Sequence, residues 1–253
     1  MEVVVASNPD EMAACAADLV QEFLGSAQAP VLGLATGASV QPLYRELVRR
    51  HQEESLSFAA ARAFLLDEYV GLDAGHPQLY RHVVRTQLTG QVDLPPACLY
   101  SPDVHATDLE EECARYDGRV RRARIGLQIL GIGRNGHLAF NEPGSAFDSP
   151  TRVVRLTETT RADNARFFGN PDEVPRRAVT QGLGTIIGAG HLMVMASGAA
   201  KAAPVLKVLR GPIAETVPAS ILRTHPRVTL VLDAQAADAV MNCDVARMRS
   251  ATR

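Results

Sequence analysis

The stretch LQILGIGRNGHLAFNEPG, residues 127–144, joins an apolar run to side chains that can move protons. A histidine such as His137 is a side-chain type that can exchange protons near neutral pH, and Glu142 follows closely enough in the sequence to orient or charge its imidazole. The backbone between them and the apolar run can turn sharply and approach a ligand, because it contains Gly131, Gly133 and Gly136. A lone histidine is usually structural, but a histidine in a glycine loop with a nearby carboxylate predicts a catalytic site.

A second candidate follows the apolar run Arg62–Leu66, where the chain reads DEYVGL. Asp67 and Glu68 are adjacent, so on an extended backbone only one of them can face a ligand crevice. We assign Asp67, which is nearer to the end of the run; the alternative is that both carboxylates are solvated or cap the next segment. A carboxylate can remove a carbon-bound proton beside a carbonyl, while a histidine moves a proton on oxygen.

Two further stretches suggest a site for an anion. After Pro30–Ala35 the chain forms a turn of small residues before a helix: Thr36, Gly37, Ala38 and Ser39. Backbone N–H groups at such a turn favour a phosphate, although a tight turn without a ligand fits equally well. Lys201 is one of only two lysines among 26 basic residues, and it lies in the first turn of a predicted helix. A cation there opposes the helix dipole, so an anionic ligand would explain it.

These candidates follow short apolar runs that alternate with amphipathic stretches. The predicted strands are Glu2–Ala6, Pro30–Ala35, Arg62–Leu66, Ile125–Leu130, Thr151–Leu156, His191–Ala196 and Val228–Leu232. Helix starts are indicated by the stretch Ser7–Asp10, which offers a cap residue and an early proline, and by a capping box at Thr107–Glu110. This alternation predicts a three-layer α/β/α sandwich with a mostly parallel sheet, in which ligands bind at the carboxyl ends of the strands.

Composition narrows the class of function. The formal net charge of -2 gives no indication of a nucleic-acid partner, and no apolar run is long enough for a transmembrane helix. The N-terminus does not resemble a signal peptide, so we expect a cytoplasmic protein. The spacing of cysteines and histidines predicts no metal site. We expect one domain over 1–253, with a polar segment at 148–177 that is either a mobile lid or an ordinary excursion of one strand and one helix, and a frayed end at 244–253.

Together, five stretches resemble the glucosamine-6-phosphate deaminase/isomerase family: LGLATGASVQPLY, LDEYVGL, LGIGRNGHLAFNEPGSAF, TRADNARFF and SGAAKA. They cover nearly the whole chain, in family order. The resemblance implies a modified Rossmann-like sandwich that needs no cofactor. It also implies an aldose-ketose isomerisation with deamination, in which glucosamine 6-phosphate and water give fructose 6-phosphate and ammonia.

The resemblance implies a role for each candidate residue. Asp67 would take the C2 proton and pass it to C1 through an enol-type intermediate. His137, with Glu142 as its partner, would open the sugar ring. The phosphate would be held by the turn Thr36–Ser39, by Lys201 and by Arg166, whose planar fork matches phosphate geometry.

Two departures qualify this assignment. Asn135 stands where many members of the family have an aspartate of the ring-opening relay; an amide cannot act as a base, but it can orient the imidazole. A shorter branch carries GRNGH, so we interpret Asn135 as a catalytic residue in a branch variant. The chain is also shorter than the hexameric members that N-acetylglucosamine 6-phosphate activates. We therefore expect a monomer or small homo-oligomer without that activation.

Three alternatives stay open. A galactosamine-6-phosphate deaminase differs only in one epimeric hydroxyl of its substrate. The 6-phosphogluconolactonases have a related fold, but typically a DGHTAS-like stretch and no DEYVGL. A non-catalytic sugar-phosphate sensor would usually carry a helix-turn-helix and a basic patch, for which the sequence gives no indication.

Overall fold

The computed structural model describes residues 1–241 and the backbone of residues 248–250. The strands are β1 (Glu2–Ala6), β2 (Val31–Leu34), β3 (Arg62–Leu65), β4 (Asp67–Val70), β5 (Leu99–Tyr100), β6 (Leu127–Gly131), β7 (Arg152–Arg155), β8 (Arg177–Thr180), β9 (His191–Ala196), β10 (Val228–Asp233) and β11 (Met248–Ser250). The α-helices are α1 (Pro9–Ser26), α2 (Gln41–Glu54), α3 (Tyr80–Val84), α4 (Leu109–Ala123), α5 (Glu158–Asn164), α6 (Leu183–Ile186), α7 (Ala202–Arg210) and α8 (Ala234–Met241).

The main sheet runs in the order β11-β1-β10-β9-β6-β2-β3-β5, and its neighbouring strands are parallel. β9 and β10 are buried at every position, which requires a cover on both faces and explains why their sequences are mostly apolar. Helices supply that cover, with α1 packed on α2 and α7 packed on α8. The predicted α/β sandwich with a mostly parallel sheet is confirmed.

A second, antiparallel sheet of order β4-β8-β7 was not predicted. The predicted strand at Thr151–Leu156 is present as β7, but it belongs to this smaller sheet. β4 escaped prediction because only Leu66 separates it from β3, so the two strands read as one apolar run followed by a loop. β5 has two residues, too few for a pattern, and β8 is recognisable only through its distant partners.

The helix starts follow from local chemistry. The Asn8 side chain accepts hydrogen bonds from the N–H groups of Asp10 and Glu11, as the sequence predicts for an N-cap before Pro9. For α4 the prediction was one residue early: Asp108, not Thr107, caps the helix by accepting from the N–H groups of Glu110 and Glu111. The helix begins at Leu109, so its cap position falls on the aspartate.

The segment 148–177 contains β7, α5 and two 3-10 turns, which matches the strand-and-helix excursion in content. Its closure as a lid stays a prediction, as does the single-domain assignment. The frayed end expected at 244–253 lies outside the described residues except for β11, whose backbone pairs with β1. In the described ranges no helix has both the length and the apolar character needed to cross a membrane.

Candidate active site

A cavity of about 610 Å³ lies where β2, β3, β6 and β9 end, the edge at which parallel α/β sheets bind ligands. Most of the predicted site residues line it: Thr36, Gly37, Ala38, Ser39, Asp67, His137, Arg166 and Lys201. Glu142 and Asn135 lie behind His137 and contact each other. The tertiary structure therefore brings together residues that five separate stretches of sequence contribute.

The small-residue turn after β2 is shaped by Gly37, whose φ of 128° is unfavourable for residues with a side chain. The Gly37 carbonyl accepts hydrogen bonds from the N–H groups of Val40 and Gln41 at 3.0 and 3.2 Å, which closes the turn into α2. Ser39 Oγ accepts from the N–H of Ser197 at 3.3 Å. That contact joins the turn after β2 to the turn after β9, so the two predicted anion-binding stretches are adjacent.

Lys201 ends the 3-10 turn before α7, and its Nζ donates to the Ile132 carbonyl at 2.8 Å. Burial lowers the pKa of Lys201; the carboxylate of Asp163 opposes this change, while Arg166 and Arg134 add to it. The Arg166 guanidinium lies 4.7 Å from the centroid of the Phe167 ring. Three cations thus share one wall of the cavity, an arrangement suited to a phosphate.

Two charged residues of this wall were not predicted. Arg134 and Asp163 both line the cavity and form an ion pair of 3.1 Å. Arg134 had a recognisable signal, since it lies inside the glycine loop next to Asn135. Asp163 had none, because its position 29 residues away carries no local information about the pairing.

The side chains of Asp67 and Glu68 point to opposite sides of the backbone, as alternation along a strand requires. Asp67 lines the cavity although it is 6% exposed; burial, and next the charge of Glu68, raise its pKa well above the ordinary range. Glu68 turns away and accepts hydrogen bonds from the N–H groups of Tyr69, Tyr80 and Arg81, at 2.9, 2.7 and 2.9 Å. Glu68 therefore holds the start of α3, and the carboxylate that faces the cavity is Asp67.

The loop after β6 closes on itself around His137. The Gly133 N–H donates to the His137 carbonyl at 2.9 Å, and the Gly136 N–H donates to the Gly133 carbonyl at 3.0 Å. A Cβ at position 133 would lie 2.4 Å from the imidazole ring, so only glycine leaves room for it. Ala139, just beyond, adopts a φ of 51° and also lines the cavity. Such left-handed backbone at a non-glycine residue is common at functional sites.

Glu142 is the centre of a hydrogen-bond cluster behind the imidazole. Asn135 Nδ2 donates to Glu142 Oε2 at 2.7 Å, and His137 Nδ1 lies 3.6 Å from the same oxygen. The hydroxyls of Thr157 and Thr160 donate to Oε1. Burial favours a raised pKa for Glu142, but His137, Thr160 and Asn135 outweigh it and lower the pKa to about 2. The carboxylate is therefore ionised beside the histidine.

Asn135 bridges the two members of this pair. Its Oδ1 accepts a hydrogen bond from the backbone N–H of His137 at 3.1 Å, while its Nδ2 donates to Glu142. In the described ranges no group of three or more histidine, cysteine or acidic side chains is arranged to hold a metal ion.

The sequence model described as glucosamine-6-phosphate isomerases/6-phosphogluconolactonase matches residues 7–231. The chain is 47% identical over 248 residues to a glucosamine-6-phosphate deaminase of Rhodococcus opacus, covering 98% of this chain and 95% of that protein. It is 46% identical, with the same coverage, to a glucosamine-6-phosphate deaminase of an Arthrobacter species.

Solved structures give a similar result. A monomeric glucosamine-6-phosphate deaminase superposes with a TM-score of 0.92 at 40% identity, covering 94% of this chain and 100% of that one. A 6-phosphogluconolactonase from Trypanosoma brucei superposes with a TM-score of 0.74 at 21% identity, covering 94% and 97%. The second likeness concerns the fold alone.

Proposed function

The chain belongs to the glucosamine-6-phosphate isomerase/6-phosphogluconolactonase family, and from that premise we propose that it converts glucosamine 6-phosphate and water into fructose 6-phosphate and ammonia. The observation that carries the proposal is the cavity that holds the buried Asp67 carboxylate together with His137 and a cationic wall. The reaction needs these three functions: a base for a C–H proton, a group that moves protons on oxygen, and a phosphate site.

In this mechanism Asp67 takes the C2 proton of the open-chain amino sugar and returns it to C1. The amine-bearing C2 then becomes an imine carbon, which water hydrolyses to the ketone with loss of ammonia. The raised pKa of Asp67 supports the assignment, because a carboxylate in a dry site is a stronger base than one in water. Glu68 accepts hydrogen bonds from backbone N–H groups and therefore has a structural role.

Ring opening is assigned to His137, which transfers a proton between the sugar's anomeric hydroxyl and its ring oxygen. Glu142 faces the imidazole ring, and the nearer oxygen of its ionised carboxylate lies 3.6 Å from Nδ1. Asn135 supports this pair by holding Glu142 Oε2 and the backbone of His137. The amide thus orients the pair without itself accepting a proton.

Phosphate binding is assigned to the turn Thr36–Ser39, Arg166 and Lys201. Their common position on the cavity wall supports this assignment, and so does the shared electrostatic field of Lys201 and Arg166. We further assign the chain as a monomer, supported by the similar deaminase structure that is described as monomeric. Sedimentation equilibrium of the purified protein tests that assignment, and a hexamer would contradict it.

The activity is tested by offering purified protein glucosamine 6-phosphate, galactosamine 6-phosphate and 6-phosphogluconolactone in parallel, without added cofactor or metal. We expect ammonia from the gluco amino sugar. Ammonia from the galacto epimer alone would keep the mechanism and change the substrate, whereas acid release from the lactone alone would assign a lactonase. Binding without any reaction would indicate a sensor.

A further inference from the structure

We propose that Thr160 is a positioning residue whose hydroxyl fixes the Glu142 carboxylate in its orientation toward His137. Through this contact, helix α5 becomes part of the ring-opening site. The inference rests on the proposed function for its catalytic consequence, but the contact itself can be tested without any activity.

The geometry begins with the first turn of α5. Thr160 is 3% exposed, and its Oγ1 donates a hydrogen bond to Glu142 Oε1. Thr157 donates to the same oxygen at 3.2 Å, and its Oγ1 also accepts from the Thr160 N–H at 3.1 Å. The two threonines therefore hold each other and the carboxylate in one arrangement. Of the two, Thr160 is the buried donor.

The second oxygen has different partners. Glu142 Oε2 accepts from Asn135 Nδ2 at 2.7 Å and lies 3.6 Å from His137 Nδ1. The plane of the carboxylate is thus set from two sides, by α5 at Oε1 and by the glycine loop at Oε2. Without the Thr160 hydroxyl, Oε1 keeps only the contact of 3.2 Å from the exposed Thr157. Rotation about the terminal torsion of Glu142, which is intrinsically broad, is then less restrained.

The same helix reaches the phosphate end of the cavity. Asp163, one turn after Thr160, pairs with Arg134, and Arg166 follows in the next 3-10 turn. Residues at i and i+3 share a helix face, so Thr160 and Asp163 face the site together. Position 160 is therefore where α5 contacts the proton-transfer pair, while residues 163 and 166 belong to the cationic wall of the cavity.

Thr160→Val tests the catalytic part, because it keeps the shape of the side chain and removes the hydroxyl. Because the valine side chain cannot donate to the charged carboxylate, we expect kcat to fall by about 10-fold or more. KM for glucosamine 6-phosphate should stay close to the unmodified value, since no phosphate ligand is altered. Thr160→Ser should restore kcat, and Thr159→Val, an exposed neighbour on the same helix, should leave it unchanged.

Equal kcat values for Thr160→Val and the unmodified protein would overturn the proposal. So would a Thr160→Ser variant as impaired as Thr160→Val, because that result indicates lost packing and not a lost donor. If the valine variant does not fold, Thr160→Ala and Thr160→Ser carry the same comparison, since they differ by the single hydroxyl oxygen.

A second readout is independent of turnover. The side-chain carboxyl carbon of Glu142 can be followed by NMR in ¹³C-glutamate-labelled protein, with Glu142→Gln identifying the signal. We expect Glu142 to stay ionised in the unmodified protein down to the lowest pH at which it remains folded, and to take up a proton at higher pH in Thr160→Val. Identical titrations would overturn the proposal. Absence of ammonia from the unmodified protein would instead refute the proposed function and leave this measurement decisive for Thr160.

Discussion

Replacing Asn135 with aspartate tests whether the amide is required to keep Glu142 ionised. In the structure the amide Nδ2 donates to Glu142 Oε2 at 2.7 Å. Aspartate at the same position would set two carboxylate oxygens against each other. Two facing carboxylates do not both stay ionised, so one of them has to keep a proton or the pair has to separate.

The magnitude follows from the distance. Two unit charges 2.7 Å apart repel by about 6 kcal/mol at an effective dielectric constant of about 20, an upper limit that relaxation reduces. We therefore expect the pair to hold one proton up to about pH 6 to 8, well above the ordinary range of a glutamate. In the unmodified protein the pKa of Glu142 is lowered, not raised. Its depressed Glu142 pKa contributes about 3 kcal/mol of stability above pH 4.5, which is lost as the pH falls toward 2.

Thermal melts and pH–rate profiles of Asn135→Asp together provide the assay. The raised pKa contributes stability at low pH that is lost as the pH rises through it, so the Tm deficit should widen between about pH 5 and pH 8. The acid limb of ammonia release should move to higher pH. Asn8→Asp is the control, since it changes the same group at an exposed helix cap. A Tm deficit independent of pH with an unmoved acid limb would refute the reasoning and leave position 135 as an orienting residue only.

Three further outcomes are expected. Asp67→Asn should lower kcat by about 10²- to 10⁴-fold while inorganic phosphate still binds, and an unchanged kcat would remove Asp67 from the mechanism. Lys201→Ala should raise KM by about 10-fold or more with a smaller effect on kcat, and an unaltered KM would contradict its phosphate assignment. Gly33→Ala should destabilise the fold by about 1 to 3 kcal/mol in denaturant melts, because its Cβ would lie 2.0 Å from the buried Gln128 side chain. Equal free energies of unfolding for the two proteins would mean that the Gln128 side chain adopts another position.

Much of the fold could be predicted because its determinants are local. β9 and β10 are mostly apolar runs, and the cap at Asn8 with Pro9 specifies the start of α1 within four residues. The smaller antiparallel sheet could not be predicted in the same way. β4 and β8 pair across more than a hundred residues, and such pairing leaves no periodic pattern in either strand.

For the site, the sequence by itself determined which chemistry was available: a carboxylate after β3, a histidine in a glycine loop after β6, and small-residue turns after β2 and β9. Alternation along the strand also required that only one of Asp67 and Glu68 face a crevice. The tertiary structure decided the rest. Glu68 turned to the N–H groups at the start of α3, and Glu142 acquired donors from a helix that begins 16 residues later. Hydrogen-bond partners depend on which elements pack together, and the spacing of two residues along the chain carries no information about that.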